Sequence, residues 1–422
     1  MKIVKLLGIL LVAAIGLCVC GCSKDEPGNT NITSSFDPAF ALELQKRGYV
    51  NDASNITVDD VKDIEELDVS GEGYNYDLDE DVYGNLTSLR GIEHFLSLKK
   101  LYCGYNRLNT LDFSKNTVLA ELYCNDNQLD SIDVSKNTVL EILNCSNNQL
   151  KSLDVSRNMG LLGLDCDNNQ LNTIDISQNA ALRSLSCESI RLYSLDISKN
   201  IALLWLNCGE NQLSSLDVSN NSALETLWCG HNQLGVLDVR NNNRLESLVC
   251  KDNQLLTLDV SNNAALEILS CSNNQLEALD VCENIYLERL ECENNQLSNL
   301  DVSKNSVLGE LSCQDNQLRS LDISKNTALR YLFCENNQLE SLDIGKNTVI
   351  KELICQDNQL RSLDISQATN LKRVWCIFNP GDGSGVFPVT AWFDNDAVPA
   401  DFTKGAWDFN GQMVTIDYRK AE

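Results

Sequence analysis

The sequence predicts a long right-handed solenoid, mainly β, of stacked parallel strands, with a small helical N-terminal cap and a β C-terminal cap. Three observations carry this expectation. The pattern L-x-x-L-x-C-x-x-N-Q-L-x-x-L-D-V-S-x-N-x-x recurs every 21 residues. It runs through thirteen full copies, from Leu98 to the copy starting at Ile350, with a partial fourteenth from Leu371. Within each copy "LxxLxC" alternates apolar and polar residues, as a half-buried strand does. About six apolar side chains per copy contribute roughly 9–18 kcal/mol by burial. Ordering one copy costs on the order of 30 kcal/mol, so a single copy cannot fold and stacked copies can.

The first 21 residues read as a lipoprotein signal peptide. "MKIVK" is a short basic region, and "LLGILLVAAIGL" is too short for a comfortable membrane span. "CVCGC" follows. Leu17 before Cys18 and Val19 before Cys20 are too large for the processing site. Gly21 precedes Cys22, so Cys22 is expected to be the lipid-modified N-terminus; an ordinary secretion signal cut nearby is the other reading. Lys24, Asp25 and Glu26 resemble the surface-export signal of lipoproteins in some Gram-negative gut bacteria. These features imply a protein lipid-anchored in the outer membrane and exposed on the cell surface, joined by a polar tether over 22–35.

Residues 36–97 are expected to cap the array. "FDPAFALELQKRGY" and "TVDDVKDIEEL" read as short helices, and residues 64–71 as a first edge strand. The loop "NDASNITVDD" is similar to a calcium-binding helix–loop–helix, but lacks the turn glycine and the alternating acids, and reads as a connector. "LTSLRGIEHFLSL" leads into the regular repeats of 98–379. About ten residues return from each strand to the next copy. They leave little room for an α-helix, so the return side is expected to be extended or a second short strand. Residues 380–422 form the C-terminal cap, with "AWDFNGQMVTIDY" as a terminal strand pair.

The motif L-x-x-L-x-L-x-x-N-x-L resembles the leucine-rich repeat, over roughly residues 64–379. The 21-residue form with cysteine at the central leucine is similar to internalin-type repeats with a cysteine ladder, and "LTSLRGIEHFLSL" resembles their first repeat. The resemblance implies a surface receptor or adhesin that binds other macromolecules.

Three polar columns need physical reasons. The asparagine of "DNQL", Asn316 and its equivalents, can bond backbone groups freed by the bend. Ile190 replaces it once, so that repeat is expected to be looser or bulged. Thirteen aspartates, Asp112 to Asp364, recur at strand spacing. Each can accept from its own Asx-turn, with Lys115, Lys136, Arg157, Lys199, Lys304, Lys325 and Lys346 nearby as neutralising charges. Asn220, Asn241, Asn262 and Glu283 take that place in the middle repeats. The fourteen ladder cysteines, Cys103 to Cys376, sit about 4.8 Å apart in register, pointing the same way. A disulfide wants its Cβ atoms near 3.8 Å and turned toward each other. The column therefore reads as buried free thiols, with Cys282 off the ladder as a reactive or idle thiol.

The balance of 33 Lys+Arg against 60 Asp+Glu argues against a nucleic-acid partner. His94 and His231 stand alone, no C-x-x-C exists, and the carboxylates recur in every repeat. No catalytic, metal or cofactor set emerges, and the chain reads as a monomeric binding protein rather than an enzyme. The candidate contacts are Trp205 and Trp228 one repeat apart, His231, Tyr193, Tyr331 and Phe333. Further aromatics are Tyr102, Tyr105, Tyr123 and Trp375. Glu288, Glu291, Glu293 and Glu310 favour a basic partner. A protein partner is expected, with glycan capture or a passive surface coat as the alternatives.

Overall fold

The computed structural model describes residues 30–75, 80–393, 395–399, 402 and 405–421. Cys22, Lys24, Asp25 and Glu26 lie outside them. Fifteen short strands form one parallel sheet, opening with Glu66–Asp68, which pairs directly with Lys100–Tyr102. A strand is then added every repeat, through Glu310–Ser312 and Tyr331–Phe333, to Arg373–Trp375. The register does not slip: Leu311 lies beside Leu290 on one side and Leu332 on the other. Each strand turns its middle residue inward. Leu308, Leu311, Cys313, Leu318 and Ile323 of one repeat are all fully buried.

The return side is extended chain and turns. Its strand content is Leu363–Asp364 and the isolated bridges Asp154 to Asp175 and Asp343 to Asp364. Local turns take up the backbone there: Asn326 N–H donates to Ile323 O at 3.0 Å, and Leu329 N–H to Asn326 O at 3.0 Å. The bend after each strand passes through a left-handed residue two positions beyond the cysteine, from Tyr105 to Phe378, with φ of 51–57°. Asn and Asp hold most of these places, as their tolerance of that region requires.

Two asparagine columns lace the repeats together. Asn316 Nδ2 donates to the carbonyls of Cys292, Cys313 and Gln314 at 3.0–3.2 Å, and its Oδ1 accepts from Leu297 N–H at 2.9 Å. The second column, Asn116 to Asn347, is fully buried. Asn326 Nδ2 donates to Val302 O at 2.9 Å and Asn305 O at 2.8 Å, and the pattern repeats along the column. Both columns answer the same need: a buried carbonyl left by a bend must find a donor.

Ile190 shows what happens without that donor. Asn211 Oδ1 accepts from Leu192 N–H at 2.9 Å, as its equivalents do from theirs, and takes on Ile190 N–H at 3.2 Å as well. The chain twists so that Asn172 N–H reaches Ile190 O at 3.0 Å. Asn172 and Arg191 are both left-handed there, with φ of 61° and 67°. The expected irregularity is thus a local rewinding, and Ile190 itself stays fully buried.

The cysteine column is buried and unbridged. Burial pushes the thiols up, to about 12 at Cys208, Cys250 and Cys376. Several donate weakly across the sheet, as Cys124 Sγ does to Asn144 O at 3.4 Å. They pack as small apolar residues. Cys282 is half-buried, and its hydrogen bond to Asp280 is the first cause raising its thiol to about 11. Of the two readings of Cys282, the idle thiol is the one this environment favours, because the nucleophile is the thiolate.

The ends are closed differently. Helix α1 (Pro38–Lys46) starts with Pro38 in its first turn and Asp37 accepting from Ala39 N–H at 2.9 Å. Helix α2 is a single turn, Val58–Val61. Behind them, Asp68 N–H donates to Tyr49 Oη at 2.9 Å, while Arg47 reaches the carbonyls of Asp68 and Ser70. Side chains thereby occupy the exposed edge of the first strand. An antiparallel pair, Gly73–Asn75 with Glu80–Val82, adds to the cap. At the other end Leu363–Asp364, Val386–Ala391, Gln412–Lys420 and Ala406–Phe409 form a four-stranded mixed sheet in that order. Its hairpin turns on Asn410 and Gly411, both left-handed. Trp407 Nε1 donates to Asn379 O at 3.2 Å and pins the hairpin to the last repeat.

Thiol titration of the fragment 23–422 checks the column. The folded protein should leave the ladder unreactive, and unfolding without reductant should release all fifteen described thiols, Cys282 included; mostly oxidised cysteines would contradict the packing. Asn316→Ala removes four bonds, three of them buried. It should lower stability in urea melts by roughly 3 kcal/mol, given the cost of leaving buried carbonyls unpaired.

Candidate functional site

The outward positions of the strands flank each buried middle leucine. Trp205 opens the strand Trp205–Asn207, and Trp228 closes the next, Thr226–Trp228. The register sets Trp205 beside Thr226 and Trp228 beside Asn207, so the two rings meet on the diagonal. Their centroids are 5.8 Å apart with planes at 66°, an edge-to-face pair. Neither ring stands fully exposed. Each is half-buried, and Trp228 Nε1 donates to Ser247 Oγ at 3.3 Å. Gly209 and Gly230, next along the same two repeats, are buried. His231 follows in the left-handed turn, its Nε2 3.4 Å from Asp252 Oδ2.

The other candidates distribute unevenly. Tyr193 is exposed, but it lies past the bend, beyond Leu192, in a different row from the strand positions. It makes no ring contact with either tryptophan and is not part of their patch. Tyr331 and Phe333 share one strand, half-buried on the same outward side as the tryptophans. Tyr102 and Tyr123 stack at 4.8 Å, with planes at 11°. Tyr105 packs on Tyr83 at 6.1 Å. The Arg373 guanidinium lies 5.7 Å from the Trp375 ring.

The four acids singled out in sequence do not form one acidic patch. Arg289 pairs with Glu291 at 3.6 Å and with Glu310 at 3.2 Å. Burial raises the carboxyl of Glu293. Glu288 alone of the four stays open. The aspartate column on the return side is also quieter than its charge suggests. All thirteen carboxylates accept the N–H two residues on, as Asp322 does from Ser324 at 2.9 Å and Asp112 from Ser114 at 3.0 Å. Hydrogen bonds from Ser324 hold Asp322 below the usual carboxylate range. The neighbouring lysines make no ion pair with it among the described residues; Asp238, paired with Arg240 at 2.7 Å and held at about 2 chiefly by that side chain, is the exception.

Sequence reasoning passed over Asp165, Asp167 and Glu188. Asp165 and Asp167 bracket Cys166 at two outward positions, the one ladder cysteine with an aspartate on each side, which was the available signal. Asp167 accepts from Ser186 Oγ and Glu188 N–H, both at 2.6 Å, and Glu188 accepts from Asn207 Nδ2 at 2.5 Å. Burial, reinforced at Asp167 by the charge of Asp165, pushes the Asp165 carboxyl up to about 6 and the Asp167 carboxyl up to about 7.

His94 packs on Phe36 at 5.9 Å and His231 faces Asp252, so the two histidines lie in separate surroundings. Among the described residues, no group of three or more His, Cys, Asp or Glu is placed to hold a metal ion.

No protein-family model and no curated protein matches the chain. Solved structures do. The functional domain of InlJ from Listeria monocytogenes, which includes a cysteine ladder, superposes with a TM-score of 0.71 at 29% identity, over 92% of each chain. The fold is that of an internalin-like leucine-rich-repeat solenoid. An internalin, inlF, from the same species aligns with a TM-score of 0.63 at 22% identity, over 82% of this chain and 97% of that one. The plant peptide hormone receptor RGFR1 in complex with RGF2 aligns with a TM-score of 0.59 at 18% identity, over 78% and 65% of the two chains.

The raised carboxyls give a pH test. Their folded values lie above the ordinary one, so the native protein takes up protons between pH 8 and 5 that the unfolded chain takes up only near pH 4. Stability in these repeats should therefore rise as pH falls from 8 to 5. Asp167→Asn should raise the melting temperature at pH 8, change it little at pH 5, and flatten the profile between.

Proposed function

We propose that the chain is a lipid-anchored, surface-displayed binding protein, an adhesin or receptor that engages a protein partner through the outward side of its parallel sheet. The carrying observation is the tryptophan pair. Most outward strand positions around it are small or polar, yet Trp205 and Trp228 place two large rings together. Half-buried aromatics held by neighbours are the usual energetic centres of protein interfaces. The RGFR1 complex shares the fold and joins a receptor to RGF2. The edge-to-face geometry also favours a protein over a glycan, since the two rings do not form one flat platform for sugars. For the anchor, the support is Cys22 with its preceding apolar stretch; no helix among the described residues is long and apolar enough to cross a membrane.

A pull-down of surface proteins from candidate host or neighbouring cells with fragment 23–422 tests this reading. The captured partner should be lost with Trp228→Ala and kept with Tyr193→Ala. Retention of the fragment in polysaccharide affinity gels, lost in Trp228→Ala, would move the assignment to glycan capture. Capture unaffected by every strand-face substitution would leave a spacer.

A further inference from the structure

We infer that the face centred on Trp205 and Trp228 takes a basic, arginine- or lysine-bearing protein segment; this rests on the protein-binding reading above. The observation is a second column, at the residue just before each strand's first outward position. Four adjacent repeats place glutamate there: Glu225, Glu246, Glu267 and Glu288. Their backbones bond directly from repeat to repeat, Glu246 N–H to Glu225 O, Glu267 N–H to Glu246 O and Glu288 N–H to Glu267 O, each at 2.8 Å. Four carboxylates are thus set in a row at strand spacing.

The row is uncompensated. Among the described residues no ion pair reaches any of the four, whereas Arg289, in the last of these repeats, is already bound to Glu291 and Glu310. Glu225 is half-buried and the other three are exposed. After Gly309 the same column changes sign, to Arg330, Lys351 and Lys372. Before the tryptophan pair the column holds Glu141 singly, with Lys99 and Arg183, so the unbroken run of four carboxylates lies in the repeats that run on from the pair. Like charges this close repel, and an approaching cation relieves the repulsion. Trp205 is paired with Thr226, the residue after Glu225, and an indole is itself attractive to a guanidinium or ammonium group. Carboxylates at the margin and rings at the centre together select a cationic side chain on an extended or helical protein surface, rather than an acidic or neutral one.

The test uses fragment 23–422 and a fluorescein-labelled peptide of alternating arginine and serine, read by anisotropy. The triple variant Glu225→Gln, Glu246→Gln, Glu267→Gln should weaken binding at least about tenfold, as lost steering and pairing imply. Trp228→Ala should do the same. The control Asp217→Asn, Asp259→Asn, Asp280→Asn removes equal charge from the return side and preserves the turn acceptors; it should change binding by less than about twofold, in line with screening at distance. Equal loss in both triple variants would show that net charge alone is read and overturn the inference. Unchanged binding in Trp228→Ala would overturn it as well. If the captured partner of the pull-down is lost in Trp228→Ala but kept in the glutamate variant, the basic-partner inference fails and the protein-binding reading stands.

Discussion

The bends between strand and return side govern this molecule. Each bend takes backbone carbonyls out of the sheet and into the interior, where water cannot reach them. An unmet buried carbonyl is costly, so every repeat must carry donors at fixed places. Two asparagines do this, one at the end of the strand and one at the end of the return. Because Asn316 bonds Cys292 O in the previous repeat as well as its own Cys313 O, the donor works only if the neighbouring repeat has the same length. Repeat length and amide placement thereby lock each other. The sequence keeps a 21-residue spacing without a slip for this reason, and at Ile190 the cost appears as two extra left-handed residues.

The cysteines follow from the same constraint. With the bend fixed by Asn316, the residue at Cys313 must fit under the amide and against the next repeat's backbone. A small side chain with a weak donor suits this place, and Cys334 Sγ uses that donor toward Ile354 O at 3.5 Å. The column needs no bridges, because the amides already tie the repeats. The second asparagine column shows the limit of this arrangement. Its Nδ2 groups are fully used, while Oδ1 of all twelve members, from Asn116 to Asn347, is buried without a partner. Donating to two buried carbonyls outweighs leaving one amide acceptor dry.

The repeating part of the fold was legible because each inward position recurs in identical surroundings: Leu311 reads the same as Leu290 and Leu332. The caps were less so, since each occurs once. "AWDFNGQMVTIDY" announced its hairpin through Asn410 and Gly411. The strand Val386–Ala391 was hidden by Pro388, which argues against a central strand. The structure accommodates it because Leu363–Asp364 pairs only with Val389 and Thr390, leaving Pro388 outside that ladder. The second asparagine column was visible in the pattern, but its role depends on bonds to residues 21 and 24 positions earlier. Side-chain pairing was the least legible: nothing in the spacing indicated that Arg289 would engage Glu291 and Glu310, or that Tyr193 would fall outside the tryptophan row.

The division of labour between positions has a consequence for recognition. The inward columns are held constant by packing and by backbone bonding, so they cannot distinguish one partner from another. The outward columns are nearly free of such demands, and a solenoid lets each repeat vary there without disturbing its neighbours. What varies is therefore informative. Along one column the chain passes from four glutamates to a run of cations, and beside the glutamates it places its adjacent tryptophans. Folding does not require that order: the same backbone bond is made by Glu267 N–H to Glu246 O and by Lys372 N–H to Lys351 O, at 2.8 Å in both cases. The backbone does not need this charge pattern, and for the basic partner proposed above its sign change supplies a direction along the solenoid.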